Sequence, residues 1–212
     1  MRDIPVFTTE NGVASLVLRE VPYRAEAYIT LQDSQNPVEL LKECVDFCRA
    51  VGADRIYAKG NAILEGYPMH TAIWKMERLK EGLPTSDAVL LPVTEETIDR
   101  WRSLYNNGMK AVPNAATMTR EDGKKLVARG AGYFVCRNGD LLGIGIAAGD
   151  TVETIISVKQ GHGADVMLAL CSVLFSEKIH VEVASVNTPA LRLYEKLGFT
   201  RTVELSRWYR VK

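Results

Sequence analysis

Residues 181–199, VEVASVNTPALRLYEKLGF, place a carboxamide and a phenol where one ligand could meet both. An apolar run ends at Asn187. Thr188 reads as the cap of a helix, with Pro189 in the first turn, where a missing N–H costs nothing. Ala190, Leu193, Tyr194 and Leu197 then share one face, and Gly198 ends the helix. Tyr194 is thereby predicted to point inward, towards the side from which Asn187 emerges. That side is the C-terminal edge of a strand, where α/β folds commonly bind ligands. Upstream, Gln160-Gly161-His162-Gly163-Ala164 forms a glycine-rich turn that opens a second helix. Backbone N–H groups at such a turn can receive an anion, because no side chain blocks its approach.

The elements that must hold these residues can be read outward from them. Thr151–Val158 is predicted as a strand before the turn, and residues 164–175 as a helix apolar nearly all round, hence well buried. Residues 180–185 and 202–211 read as strands. Residues 133–137 and 141–148, joined by Asn138-Gly139, carry a good hairpin signal. Residues 88–93 read as a strand, Thr94-Glu95-Glu96 as the start of a helix with Ile98, Trp101, Leu104 and Tyr105 on its apolar face, and residues 120–129 as a short helix. Nearer the start, two β-rich runs fill residues 12–32, a helix runs from Asn36-Pro37 to Gly52, and strands follow at 54–59 and around 71–76. Hairpins mixed with strand–helix–strand units predict an α/β chain with a mixed sheet.

The two halves rhyme. Asn11-Gly12 and Asn138-Gly139 each begin a strand–strand–helix–strand block, ending at Asn61 and Asn187, of nearly equal length. In the first, Asp33-Ser34-Gln35-Asn36 replaces the glycine turn, and there is no room for the Tyr194-type helix. The first half reads as an old half-repeat that kept its fold and lost its site. The turn-rich residues 83–87 read as a linker, so the domains are 1–82 and 88–212.

Composition narrows the function. Twenty-six Lys+Arg balance 26 Asp+Glu, so no broad field draws in nucleic acid or an anionic membrane. Hydrophobic content of 47% and charged content of 25% are those of an ordinary folded domain. No apolar run approaches the roughly 18 residues of a membrane span, and the start lacks a signal-peptide pattern. Four cysteines without framework spacing suit a reducing compartment, and the reading is cytoplasmic. Cys44 and Cys48 lie one helical turn apart without a second ligand pair, so no metal site is read.

Asn187–Phe199, in the form N-x-x-A-x-x-L-Y-x-K-L-G-F, resembles motif B of the GNAT superfamily of acyl-CoA-dependent N-acetyltransferases. Residues 160–165 are similar to that family's R/Q-x-x-G-x-G/A turn, with Asp165 where a small residue is usual. The resemblance covers residues 88–212. It implies a GNAT-like fold with an additional N-terminal half-domain, acetyl-CoA as cosubstrate and no metal. It implies that Gly161, His162, Gly163 and Ala164, after Gln160, meet the pyrophosphate. A splayed or bulged strand at Ile155, Ile156, Ser157 and Val158 would meet the pantetheine arm, with Asn187 and Ala190 beside the cofactor. Tyr194 would protonate the departing thiolate.

The base is open between Glu182, inside an apolar strand where burial would raise its pKa, Glu153, and a water chain. The resemblance implies that residues 106–119 form one wall of the acceptor pocket; a flexible surface loop is the other reading. The acceptor is a small-molecule or peptide amine, and the chain a monomer by pseudo-duplication or a homodimer. The alternative is a non-catalytic CoA-binding or scaffold protein of the same fold.

Overall fold

The computed structural model describes residues 2–212, so the first residue of the 1–82 segment lies outside it. The chain forms two compact units, one reaching to Ala72 and including Glu204–Lys212, the other Ile73–Val203. Residues 83–87, read as the linker, run within the second unit.

The first unit contains β1 (Ile4–Thr9), β2 (Gly12–Val17), the short helix α1 (Val21–Arg24), β3 (Glu26–Ser34), α2 (Pro37–Ala50) and β4 (Arg55–Lys59). A 3-10 turn, Ala62–Gly66, then leads into β5 (Met69–Leu79), which continues into the second unit. β1 lies outside the runs read from the sequence. It pairs antiparallel with β2, and β2 with β3. β3 and β4 run parallel and pair at five successive positions, from Glu26–Arg55 to Thr30–Lys59. α2 lays Leu40, Leu41, Cys44 and Cys48 on Leu16, Ile29 and Ile56, all fully or nearly fully buried. Each large apolar side chain so covered contributes about 1.5–3 kcal/mol. Asn36 caps the helix by accepting the Glu39 N–H, with Pro37 following it.

The second unit begins with β6 (Val89–Pro92), α3 (Ile98–Met109) and α4 (Arg120–Arg129). It continues with β7 (Gly132–Arg137), β8 (Asp140–Ala148), β9 (Thr151–Ser157), α5 (Gly163–Ser172), β10 (Lys178–Ala184) and α6 (Thr188–Lys196). The last strand, β11 (Thr200–Arg210), starts here and ends on β4 of the first unit, where Tyr209 faces Ala58. The second unit's strands lie in the order β6-β7-β8-β9-β10-β5, with β9 and β10 parallel and the other pairs antiparallel. The mixed sheet is as expected.

The halves share this pairing pattern. β2, β3 and β4 repeat the directions of β8, β9 and β10, and each block closes with an antiparallel strand from the other half of the sequence.

Local signals explain most boundaries. Asn138 and Gly139 both have positive φ, 52° and 84°, which a tight hairpin turn requires. Thr119 and Asp122 form a reciprocal capping box at the start of α4. Two boundaries differ from expectation. Thr94–Thr97 is a turn held by the Thr97 hydroxyl, which accepts the Thr94 N–H at 2.9 Å, and α3 proper begins at Ile98. α5 stops at Ser172, so Phe175, expected inside a buried helix, is 98% exposed.

β8 is covered on both faces. On one, Gly143 and Gly145 leave space for α5: a Cβ on Gly145 would stand 2.2 Å from Leu170 Cδ1. Val166, Met167, Leu170 and Cys171 of α5 form the core there. On the other face, Ile144 and Ile146 pack with Trp101 and Leu126 from α3 and α4. Trp101 is fully buried, and its Nε1 donates to the Tyr133 carbonyl at 2.9 Å, pinning α3 to β7.

Candidate active site

β9 and β10 pair only at Thr151–His180 and Val152–Val181. Beyond that point β9 stays on β8 and β10 stays on β5, so the two strands part. A bulge accompanies the parting: Val152 faces Ala147 but Thr154 faces Ile146, which leaves Glu153 as the extra residue. The irregularity thus lies just before residues 155–158. The Val158 N–H donates to the Leu142 carbonyl at 2.9 Å. By the antiparallel alternation, Ile155 and Ser157 therefore turn their N–H and C=O groups away from β8, into the gap.

The gap opens into a cavity of about 610 Å³. Ile155, Ile156, Ser157, Gly161, Gly163, Ala164, Asn187, Ala190 and Tyr194 line it, with Glu153 and Glu182. Val158, Gln160 and His162 stand outside the lining. Met109 and Val112, from the segment expected to wall the acceptor side, also line it, beside Gly108. Asn106 clamps that segment from both sides, donating to the Met118 carbonyl at 3.1 Å and accepting the Met118 N–H at 2.8 Å. Pro189, Leu193 and Lys196 complete the α6 wall. Helical spacing already put Leu193 on the Tyr194 face, and Lys196 is the lysine of the N-x-x-A-x-x-L-Y-x-K-L-G-F run.

Tyr194 is 4% exposed, and its ring leans on Phe199 at 6.0 Å. Its hydroxyl takes no partner among the described residues, and the residue lines the cavity. Burial, with a smaller contribution from Cys171, pushes its pKa well above the ordinary phenol value. The phenol is neutral across the physiological range.

Asn187, rather than Thr188, caps α6: its Oδ1 accepts the Ala190 N–H at 3.3 Å. One end of the carboxamide is thus occupied by the chain, and the NH₂ end remains for a ligand.

The two carboxylates differ from each other and from expectation. Glu182 is exposed. Strand alternation sends Val181 and Val183 into the core and Glu182 to the opposite face, across from Lys75. The expected burial does not occur, and with it goes the desolvation argument. Among the described residues Glu182 has no ion pair. Glu153 does, with Arg129 at 2.6 Å.

At the glycine turn, Gly161 has φ of 86°, a left-handed conformation that favours glycine. His162 is the N-cap residue of α5 without a side-chain capping bond. The Gly163 and Ala164 amides have no partner among the described residues, as at any open helix N-terminus. Asp165 is held by two groups: Arg137 at 2.6 Å and His162 Nδ1 at 2.8 Å. They keep its pKa below the usual carboxylate range, Arg137 contributing most. Sequence reasoning passed over Arg137, because nothing in its neighbourhood on β7 announces a partner 28 residues away.

No family model and no curated relative matches the sequence. Solved structures do match. A conserved protein of unknown function from Staphylococcus epidermidis is 11% identical with a TM-score of 0.61, over 98% of this chain and 92% of that one. A GCN5-related N-acetyltransferase from Sphaerobacter thermophilus is 11% identical with a TM-score of 0.54, over 93% and 75%. A tandem GNAT protein from the clavulanic acid biosynthesis pathway is 14% identical with a TM-score of 0.53, over 94% and 78%. The chain has the GNAT fold. Among the described residues no helix is long and apolar enough to cross a membrane.

Proposed function

We propose that the protein is an acetyl-CoA-dependent N-acetyltransferase that passes the acetyl group directly to an amine. One observation carries this reading. Tyr194, buried and with its hydroxyl unpartnered among the described residues, lines the same cavity as the outward-facing edge of β9 and the first turn of α5.

The residues suit an extended nucleotide thioester. The cavity volume lies within the roughly 300–1,000 Å³ of small-molecule sites. The amides of Gly163 and Ala164 offer donors to a diphosphate, and the unpaired groups of Ile155 and Ser157 offer main-chain partners to a pantetheine amide. The Asn187 NH₂ supports the same arm. Acetyl-CoA supplies a thioester carbonyl that an amine can attack. An outward β9 amide steadies the charge developing on the carbonyl oxygen. Tyr194 gives its proton to the departing sulfur, and Glu182, free of an ion pair, takes the proton lost by the attacking nitrogen. No covalent link to the protein is needed.

The acceptor is a small-molecule or peptide amine met on the side of Met109 and Val112, and the protein acts in the cytoplasm as a monomer or homodimer. The first unit is a half-domain of the same ancestry that has lost its site. Asp165, a carboxylate on the first turn of α5, favours the alternative of a CoA-binding scaffold without turnover. Thiol release from acetyl-CoA over a panel of amines separates the two. Turnover that drops sharply in Tyr194→Phe supports the enzyme; binding without turnover across the panel supports the scaffold.

A further inference from the structure

Asp165 puts a negative charge on the turn where the reading above, on which this inference rests, needs to receive a diphosphate. An acidic residue in the first turn is ordinary for a helix, since it faces the positive end of the dipole. Here the same dipole and the neighbouring amides are what an incoming anion would use. The carboxylate is nevertheless fully engaged. Its Oδ1 takes Arg137 Nη2 at 2.6 Å and its Oδ2 faces His162 Nδ1 at 2.8 Å.

Arg137 reaches further: it also pairs with Asp87 at 2.6 Å, and Ser86 Oγ donates to the Asp165 carbonyl at 3.4 Å. The segment read as a linker thus ties down the first turn of α5. The guanidinium is held there although its Nε is buried without a partner among the described residues, an arrangement that costs stability. Lys159, just before the turn, is engaged with Asp140 at 3.0 Å.

We propose that Arg137 is the positioning residue that lets this turn accept a diphosphate, by pairing with Asp165 and holding that carboxylate sideways against β7 and residues 86–87.

The test is calorimetric binding of CoA and of pantetheine, which lacks the phosphates, to four folded proteins: wild type, Arg137→Gln, Asp165→Asn and the double variant. Arg137→Gln is expected to weaken CoA binding at least 10-fold and leave pantetheine unchanged. The double variant should recover to within about threefold of wild type, and Asp165→Asn alone should bind CoA at least as tightly as wild type. If Arg137 only stabilises the fold, thermal melting falls in Arg137→Gln while CoA affinity holds, or affinity is lost and Asp165→Asn does not restore it; either result overturns the proposal. A second probe separates this inference from the functional reading. Inorganic pyrophosphate should shift the Gly161, Gly163 and Ala164 amide resonances in wild type and Asp165→Asn but not in Arg137→Gln. That pattern without CoA binding sustains the role of Arg137 and defeats the acetyltransferase reading. Failure of wild type to bind either probe defeats both.

Discussion

Val152 and Val181 face each other across a parallel ladder and are the last pair of β9 and β10 to do so. One residue further, Glu153 is extruded as a bulge and the strands diverge. The corresponding strands of the first unit, β3 and β4, stay paired from Glu26–Arg55 to Thr30–Lys59 and leave no gap between them. Their edges are satisfied by each other, so no main-chain groups are left for a ligand arm.

One CoA per chain is therefore expected. Titration calorimetry reads the stoichiometry directly, and two equivalents would contradict this account of the first unit.

Tyr194→Phe keeps the ring against Phe199 and removes only the hydroxyl. The turnover number should fall by about 10²–10⁴, the range for loss of a general acid, with the KM for acetyl-CoA little changed. Because burial raises the pKa of this phenol, wild-type activity should show no alkaline loss attributable to Tyr194 up to pH 9. A mutant with full turnover removes Tyr194 from the chemistry.

Glu182 and Glu153 are told apart by their partners. Glu153 is bound to Arg129, whereas Glu182 has no ion pair among the described residues. Glu182→Gln should lower the turnover number about 10²-fold, the low end of the usual contribution of a general base; Glu153→Gln should change it less than about threefold. Equal insensitivity of both variants would assign the proton to a water chain.

Asn106 holds residues 106–118 in place through its two bonds to Met118. Asn106→Ala should cost about 1–2 kcal/mol in urea unfolding. It should also raise the KM for the amine several-fold while CoA affinity stays near that of wild type. A selective loss of CoA affinity would move this segment off the acceptor side.

Cys44, Cys48 and Cys171 are free and buried, and burial pushes each thiol up to about 12. In the unfolded chain they ionise near pH 8.5. A folded-state pKa above the unfolded one means that their contribution is whole below that pH and is lost as pH rises towards 12. Unfolding free energy should decline above about pH 9, by as much as about 1.4 kcal/mol per pH unit for each thiol. At neutral pH a thiol reagent should modify only the half-buried Cys136 in the native protein, and Cys136→Ser should abolish that reaction.

Much of this was legible locally. The Asn138-Gly139 turn, the Pro189 start and Gly198 stop of α6, and the inward face carrying Tyr194 all follow from preferences within a few residues. So did the glycine turn and the echo between the halves. Features set by neighbours distant in sequence were not legible. Glu182 looked buried because its flanking residues are apolar, but alternation on a strand with one covered face turned it outward. Asn187 took over the capping role given to Thr188, since the shape of the turn decides which side chain reaches the Ala190 amide. Arg137 gave no signal, because its meaning lies in Asp165 and Asp87, brought to it by the sheet and by the segment preceding β6. The sequence by itself determined the elements and the donor groups they carry, because propensity, capping and periodicity act over one or two turns. Only the tertiary structure decided where two paired strands separate and which charges pair there, because those depend on contacts between residues that the chain brings together only on folding.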